Sequence, residues 1–220
     1  MSHKIGWVGT GRMGYPMAGR LAKDGQNISV WNRTKAKADA LSEYGATVVE
    51  NMHELNDVEV LFTMVSTGKD LKEVYFGEKG VLSKGSVGSQ IFVDCSSISS
   101  EDSDEIRDRL TEKGVAYISC PVSGNGKAVK SGVLSIVASG PEDVFNTIKP
   151  YLETIAPRGV AYVGEGDLAR FCKIAHNVML GVVIQNLAEI TILAQKAGVP
   201  RHAFLNFMNN SVMGLSLIHI

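Results

Sequence analysis

Up to residue 163 the chain alternates between two patterns of apolar positions. Short apolar runs rich in Val, Ile and aromatic residues stand at 4–8, 28–31, 47–49, 58–64, 91–94, 115–119, 134–138 and 161–163, each too short for a helix. Between them the spacing is helical, as with Met13, Met17 and Leu21, and again over 35–44, 71–75, 101–114 and 141–152. Strand and helix in regular alternation predict an α/β fold, with a doubly wound, mostly parallel sheet of the Rossmann type.

From Gly164 the pattern changes. Asp167 is placed to cap a helix that runs apolar until Gly198-Val199-Pro200 stops it. Ala169, Lys173, Asn177 and Gly181 recur every fourth residue, so Lys173 and Asn177 share one face, a turn apart. The other faces carry Leu168, Phe171, Val178, Val182, Leu187, Ile190, Leu193 and Ala194, too apolar all round for a helix lying on water. The expectation is a long interdomain helix clamped between two bodies. The Pro- and Gly-bearing connection 157–164 marks the boundary, with one domain over 1–163. Residues 164–220 then hold the interdomain helix, a further helix at 201–209 and the start of an all-α domain.

Composition narrows the class. A chain of 220 residues with 45% hydrophobic and 20% charged content can bury one core and part of a second. A net charge of -1 without blocks of like charge offers no general attraction to nucleic acid or anionic lipid, so neither is expected as a partner. No signal-peptide h-region precedes the first strand, and Gln185, Asn186 and Glu189 break the most apolar later stretch, which makes the cytoplasm the expected address. Cys95, Cys120 and Cys172 are odd in number and sit in apolar settings, so reduced, buried thiols are expected. The five histidines are scattered, and no metal site is expected.

Chemistry enters at the first strand–helix junction. Gly9-Thr10-Gly11-Arg12-Met13-Gly14 follows a predicted strand and opens a predicted helix, and a second strand follows at 28–31. There the first glycine allows the turn, the second lets backbone approach a pyrophosphate, and the third lets helix pack on strand. The helix N-terminus offers free N–H groups to the phosphates. Gly9, Gly11, Arg12, Met13 and Gly14 are assigned to a dinucleotide. The second strand ends on Asn32-Arg33-Thr34, where an acidic residue would bind a free ribose 2′-OH. Arginine between amide and hydroxyl neighbours suits a 2′-phosphate, which favours NADP and leaves NAD possible. The alternative is a solvated Arg33 beside a helix-capping Thr34.

Ligands of such sheets sit beyond the carboxyl ends of the strands, which singles out Val65-Ser66-Thr67 and Cys95-Ser96-Ser97 as cofactor-lining loops. Ser96 and Ser97 serve equally well as turn or N-cap residues. Ser123-Gly124-Asn125-Gly126 either receives a carboxylate on backbone N–H groups and a hydroxyl, or is a plain Gly-rich hairpin connection.

Four segments taken together, Gly9 to Met17, Asp94 to Ser97, Pro121 to Gly124 and Gly164 to Asn177, resemble the β-hydroxyacid dehydrogenase family. Its members include 3-hydroxyisobutyrate dehydrogenase and the glyoxylate and succinic semialdehyde reductases. The resemblance implies an NAD(P)-dependent oxidoreductase acting on a small carboxylate substrate. It implies that Lys173 is catalytic, that Asn177 orients lysine and substrate, and that Ser123 and Gly124, with Asn125 beside them, hold the carboxylate. It places Val65, Ser66 and Ser97 at the cofactor. The chemistry is coherent: carbonyl reduction builds negative charge on oxygen, and an ammonium both stabilises that charge and supplies the proton.

The sequence also departs from the family. Asn125 replaces a common glycine and Ser66 a common proline. His176 gives Lys-x-x-His-Asn, which resembles the oxidative decarboxylase 6-phosphogluconate dehydrogenase, but Leu180 stands where that enzyme has a proton-donating glutamate. Decarboxylation and a non-catalytic NADP-binding scaffold are the alternative readings. His176 touches the substrate or satisfies a backbone carbonyl in the core. Family members continue through further helices that build a homo-oligomer, and residues from Leu215 onward do not match them, so a truncated frame or a foreign tail is expected there.

Overall fold

The protein is described by a computed structural model over residues 3–85 and 90–214; the departure from Leu215 onward lies outside the described residues. The first part runs β1 (Ile5–Val8), α1 (Gly14–Lys23), β2 (Ile28–Trp31), α2 (Ala36–Asp39), β3 (Thr47–Val48), β4 (Val60–Thr63), α3 (Gly68–Phe76), β5 (Ile91–Asp94), α4 (Ser100–Thr111) and β6 (Ala116–Ser119). These strands form one sheet in the order β3-β2-β1-β4-β5-β6, parallel throughout.

Both sheet faces are covered, which is why β1 and β4 are buried along their whole length instead of alternating with polar residues. On one face Ile5, Trp7, Val60 and Phe62 pack with Met17 and Leu21 of α1. Trp7 stacks on Phe62 with ring centroids 5.4 Å apart. On the other face Val8, Leu61 and Phe92 meet Leu71 and Tyr75 of α3 and Ile106 and Leu110 of α4. Each such fully buried side chain contributes about 1.5–3 kcal/mol.

The chain then forms β7 (Val122–Ser123), α5 (Gly126–Lys130), β8 (Ser135–Ala138), α6 (Glu142–Ile155) and β9 (Gly159–Tyr162). These strands make a second, three-stranded sheet in which β7 and β8 are antiparallel and β8 and β9 parallel. A single bridge, Ser119 to Ser139, joins it to the end of β6. Two expectations shift here. The helix expected over 35–44 is α-helical only through Asp39; it tightens to a 3-10 turn over Ala40–Tyr44 and ends at Gly45 with φ 90°. The connection at 123–126 holds a short strand and a helix start, so it is not a plain hairpin loop.

Two helices close the described chain, α7 (Leu168–Lys196) and α8 (Arg201–Asn210). The chain divides into compact units at Met1–Lys173 and Ile174–Ile220, ten residues beyond the boundary read from the sequence. The cause is at the start of α7. Ala169 and Arg170 are buried, and the Ala169 N–H donates to Ser139 Oγ at 2.9 Å. In the second unit, Ile174, Val178, Met179, Val182 and Leu193 are exposed, as is Phe207 of α8. Among the described residues these apolar side chains of the second unit are uncovered. By length and composition α7 could cross a membrane. Its start, through Lys173, belongs to the sheet unit, and Gln185, Asn186 and Glu189 stand together near its middle, where burial in hydrocarbon is costly.

Candidate functional site

The strand order reverses between β1 and β4, and the loops leaving these strands border a cleft of about 290 Å³. Gly9, Gly11, Asn32, Arg33, Thr34, Val65 and Ser66 all line it. Arg12, Met13 and Gly14 belong to the same turn without lining the cleft. Another cavity, of about 350 Å³ beside Arg107, Tyr117 and Pro141, holds none of the residues assigned to ligands from the sequence.

The cleft fits a dinucleotide on steric grounds. Gly9 has φ 95°, and a Cβ there would lie 2.2 Å from the Met64 carbonyl oxygen. At Gly14 it would lie 1.8 Å from the Gly9 carbonyl oxygen, so the third glycine lets α1 close against the turn. At Gly11 it would meet nothing within 4 Å. That is the open face a pyrophosphate can approach, while Trp7 Nε1 supports the turn from below by donating to the Gly9 carbonyl at 3.0 Å.

The residues after β2 divide their roles. Asn32 is committed to the scaffold: its Oδ1 accepts the Thr10 N–H and its Nδ2 donates to the Thr34 carbonyl, both at 2.9 Å. Thr34 does not cap α2 through its hydroxyl; its carbonyl accepts the Lys37 N–H at 3.0 Å, and the N-cap position is Lys35. Arg33 reaches into the cleft with an exposed side chain whose Nη1 lies 3.7 Å from Asp70 Oδ1. Lys37, Asp70 and Glu73 also line the cleft, and sequence reasoning missed all three. The regular spacing of α3 was readable, but not the direction in which its first turn points its acids.

The loop after β5 is organised by Ser96. This fully buried residue accepts the Val65 N–H on Oγ at 2.9 Å and donates its own N–H to Asp94 Oδ1 at 3.0 Å. Its carbonyl accepts from Arg170 Nη1 at 3.0 Å. Neither Ser96 nor Ser97 caps the next helix; that residue is Ser99, whose hydroxyl accepts the Asp102 N–H. Ser97 is exposed.

The segment 123–126 abuts the glycine turn, for a Cβ on Gly126 would stand 2.7 Å from the Arg12 carbonyl oxygen. Gly124 has φ 136°, which only glycine adopts without strain, and a Cβ there would press on Ala128 and Leu134 at 3.0 Å. Asn125 is the N-cap of α5, its Oδ1 accepting the N–H groups of Lys127 and Ala128 at 3.0 and 3.1 Å. Its assigned role toward a carboxylate is thereby narrowed to the amide nitrogen.

The start of α7 holds a buried network that sequence reasoning did not identify. Arg170 Nη2 donates to Asp94 Oδ2 at 2.7 Å and to the Tyr117 hydroxyl at 2.9 Å, with both charged side chains almost fully buried. Asp167 Oδ1 accepts from Ser103 and Ser119 at 2.9 and 2.8 Å and lies 3.1 Å from Arg170 Nε. The readable signal was a carboxylate ending the otherwise apolar strand Ile91–Asp94. Three residues past Arg170 stands Lys173, half-buried, and burial lowers its ammonium pKa from the ordinary lysine value. Val65, Ser96 and Arg170 thus form a hydrogen-bonded chain from the cleft to the helix that carries this lysine.

In the second unit His176 Nδ1 lies 3.2 Å from Asn177 Oδ1, and both residues are exposed. His176 is exposed and so does not sit in the core among the described residues. Of the cysteines, Cys95 and Cys120 are buried as expected, but Cys172 is exposed on α7.

Comparison with known proteins agrees with this geometry. Residues 4–164 match the family described as the NAD binding domain of 6-phosphogluconate dehydrogenase. The chain is 34% identical over 196 residues to the 2-hydroxy-3-oxopropionate reductase of Escherichia coli K12, covering 89% of this chain and 66% of the reductase. It is 30% identical over 211 residues to glyoxylate/succinic semialdehyde reductase 1 of Arabidopsis thaliana, covering 96% of this chain and 72% of that enzyme. The chain thus spans about two thirds of the length of these relatives. Among solved structures, Psf3 in complex with NADP+ and 2-OPP superposes with a TM-score of 0.83 at 28% identity, covering 95% of this chain and 74% of Psf3. The chain belongs to the β-hydroxyacid dehydrogenase family, whose NAD-binding domain it carries at residues 4–164.

Proposed function

We propose that the protein is an oxidoreductase that transfers a hydride between a nicotinamide dinucleotide, preferentially NADP, and a small β-hydroxy acid or semialdehyde. The substrate belongs to the 3-hydroxyisobutyrate, succinic semialdehyde or glyoxylate class. The observation that carries this reading is the chain Val65–Ser96–Arg170, which links the dinucleotide cleft to the helix bearing Lys173. The names of the two reductases support the substrate class, and the NADP+ bound by Psf3 supports the cofactor.

When bound, the nicotinamide supplies or accepts the hydride; the remaining work falls to side chains. Gly9, Gly11 and the α1 N-terminus receive the pyrophosphate, and Arg33 receives the 2′-phosphate. Ser123 and Gly124 hold the substrate carboxylate. Lys173 gives a proton to the substrate oxygen during reduction and takes it back during oxidation. Asn177 orients the substrate oxygen toward it, with His176 beside it. Partial burial suits Lys173 to both directions, because a lowered pKa makes the neutral amine accessible. Oxidative decarboxylation is not favoured, since Leu180 offers no proton at the position where that chemistry needs an acid.

The test is oxidation of NADPH by the purified protein with glyoxylate, succinic semialdehyde and 2-hydroxy-3-oxopropionate, compared with Lys173→Ala. Turnover with at least one substrate, reduced about 10²–10⁴-fold in the variant, is expected for a general acid. Absence of turnover by the unmutated protein, with dinucleotide binding intact, would replace this reading with a non-catalytic binding role.

A further inference from the structure

The cleft carries four charges. Arg33 and Lys37 face it from the β2 side, and Asp70 and Glu73 from the first turns of α3. They sum to zero, whereas a pocket committed to a 2′-phosphate dianion would carry surplus positive charge. The two members of the Arg33–Asp70 pair also differ in freedom. Asp70 is held in place: the Thr67 hydroxyl donates to its Oδ2 at 2.7 Å, and its own N–H donates to Thr67 Oγ1 at 3.0 Å. Arg33 is not held this way, its side chain being 88% exposed against 38% for Asp70. The carboxylate is the fixed partner and the guanidinium the movable one.

A phosphate brought to Arg33 must therefore draw the guanidinium from Asp70 and settle beside a fixed negative charge. A free 2′-OH faces no such competition. We propose that Asp70 is a specificity-determining residue that competes with the 2′-phosphate for Arg33, so that the cleft admits both NAD and NADP and Asp70 sets the ratio between them. This rests on reading the cleft as the dinucleotide site with Arg33 as the phosphate partner. Exposed ion pairs of this kind are weak, which limits the expected effect to about two- to fivefold in affinity.

The experiment is calorimetric titration of the intact protein with 2′,5′-ADP and 5′-AMP at low ionic strength, a binding readout independent of turnover. Asp70→Asn retains an acceptor for the Thr67 hydroxyl, and Thr67 still caps α3; Asp70→Ser serves as a second variant, and melting curves verify that both fold. Both variants are expected to bind 2′,5′-ADP about two- to fivefold more tightly than the unmutated protein, with 5′-AMP changed less than twofold. In an Arg33→Ala background the gain should disappear. If Arg33→Ala weakens 2′,5′-ADP but neither Asp70 variant strengthens it, the proposal is overturned while the role of Arg33 stands. A gain that persists without Arg33 also overturns it, since Asp70 would then act by repulsion alone. If Arg33→Ala leaves 2′,5′-ADP binding unchanged, or neither probe binds the unmutated protein, the underlying reading of the cleft falls and the proposal with it.

Discussion

Arg170 and Asp94 stand 76 residues apart in sequence, yet their side chains meet at 2.7 Å inside the protein, 3% and 0% exposed. A pair this deep is sensitive to losing one member, because the charge left behind is desolvated without a partner. Arg170→Met strands Asp94 and deprives Asp167 of its nearest cation on α7. The expected loss is about 3–5 kcal/mol in urea denaturation. Replacing both, as Arg170→Met with Asp94→Asn, should cost less than the sum of the two single changes. Additivity in that double-mutant cycle would show that the pair is not energetically coupled.

Gly11 and Gly14 separate binding from folding. A side chain at Gly11 meets open space, so Gly11→Val should melt within a few degrees of the unmutated protein while weakening dinucleotide binding at least about tenfold, by occupying the pyrophosphate's approach. Gly14→Ala collides with the Gly9 carbonyl and should lose stability first, by more than about 1 kcal/mol. Thermal melting with and without NADPH measures both. Equal melting temperatures for the two variants would contradict the steric distinction.

The contrast between these glycines and the Arg170 network shows what was readable in the chain. The turn 9–14 and the strands at 28–31 and 91–94 were legible because their determinants are local: an apolar run, a glycine pattern and a helix start within a few residues. Arg33, Val65 and Ser66 followed from the same rule, since a parallel sheet brings its loops to one edge. The partners of Arg170 were not legible, nor was the Arg33–Asp70 pair. Each joins elements distant in sequence, and nothing in the periodicity of α3 or α7 records which polar group faces which. What covers the apolar faces of the second unit was not legible for a related reason. A period near 3.6 marks an apolar face, but it does not specify what covers that face.

Thiol reactivity tests the corrected placement of Cys172. Burial pushes the thiols of Cys95 and Cys120 well above their ordinary pKa, so neither presents a thiolate to solvent. Cys172 is exposed on α7. Titration of the native protein with an aromatic disulfide reagent should therefore give one rapid equivalent, lost in Cys172→Ser, and the other two cysteines should react only after unfolding. Three rapid equivalents in the native state would mean that the sheet edge around Cys95 and Cys120 opens freely.

The lowered pKa of Lys173 gives activity and stability opposite demands, with a sign that can be measured. Oxidation of the hydroxy acid needs the neutral amine, so its rate should rise with pH through the Lys173 pKa, with the limb displaced below the ordinary lysine value of 10.5. Reduction needs the ammonium and should fall across the same limb. Stability follows from the same shift. A lysine whose folded-state pKa is depressed binds its proton more weakly in the native state, so the protonated form destabilises the fold. That penalty is full below the folded pKa and fades as pH rises toward the unfolded value. Lys173→Met should accordingly cut turnover by about 10²–10⁴-fold while raising the melting temperature modestly near neutral pH, and the gain should shrink above pH about 10. Partial exposure keeps the stability effect small, whereas the kinetic limb reports the pKa directly. A limb at or above the ordinary lysine value would remove burial as the feature that prepares Lys173 for proton transfer.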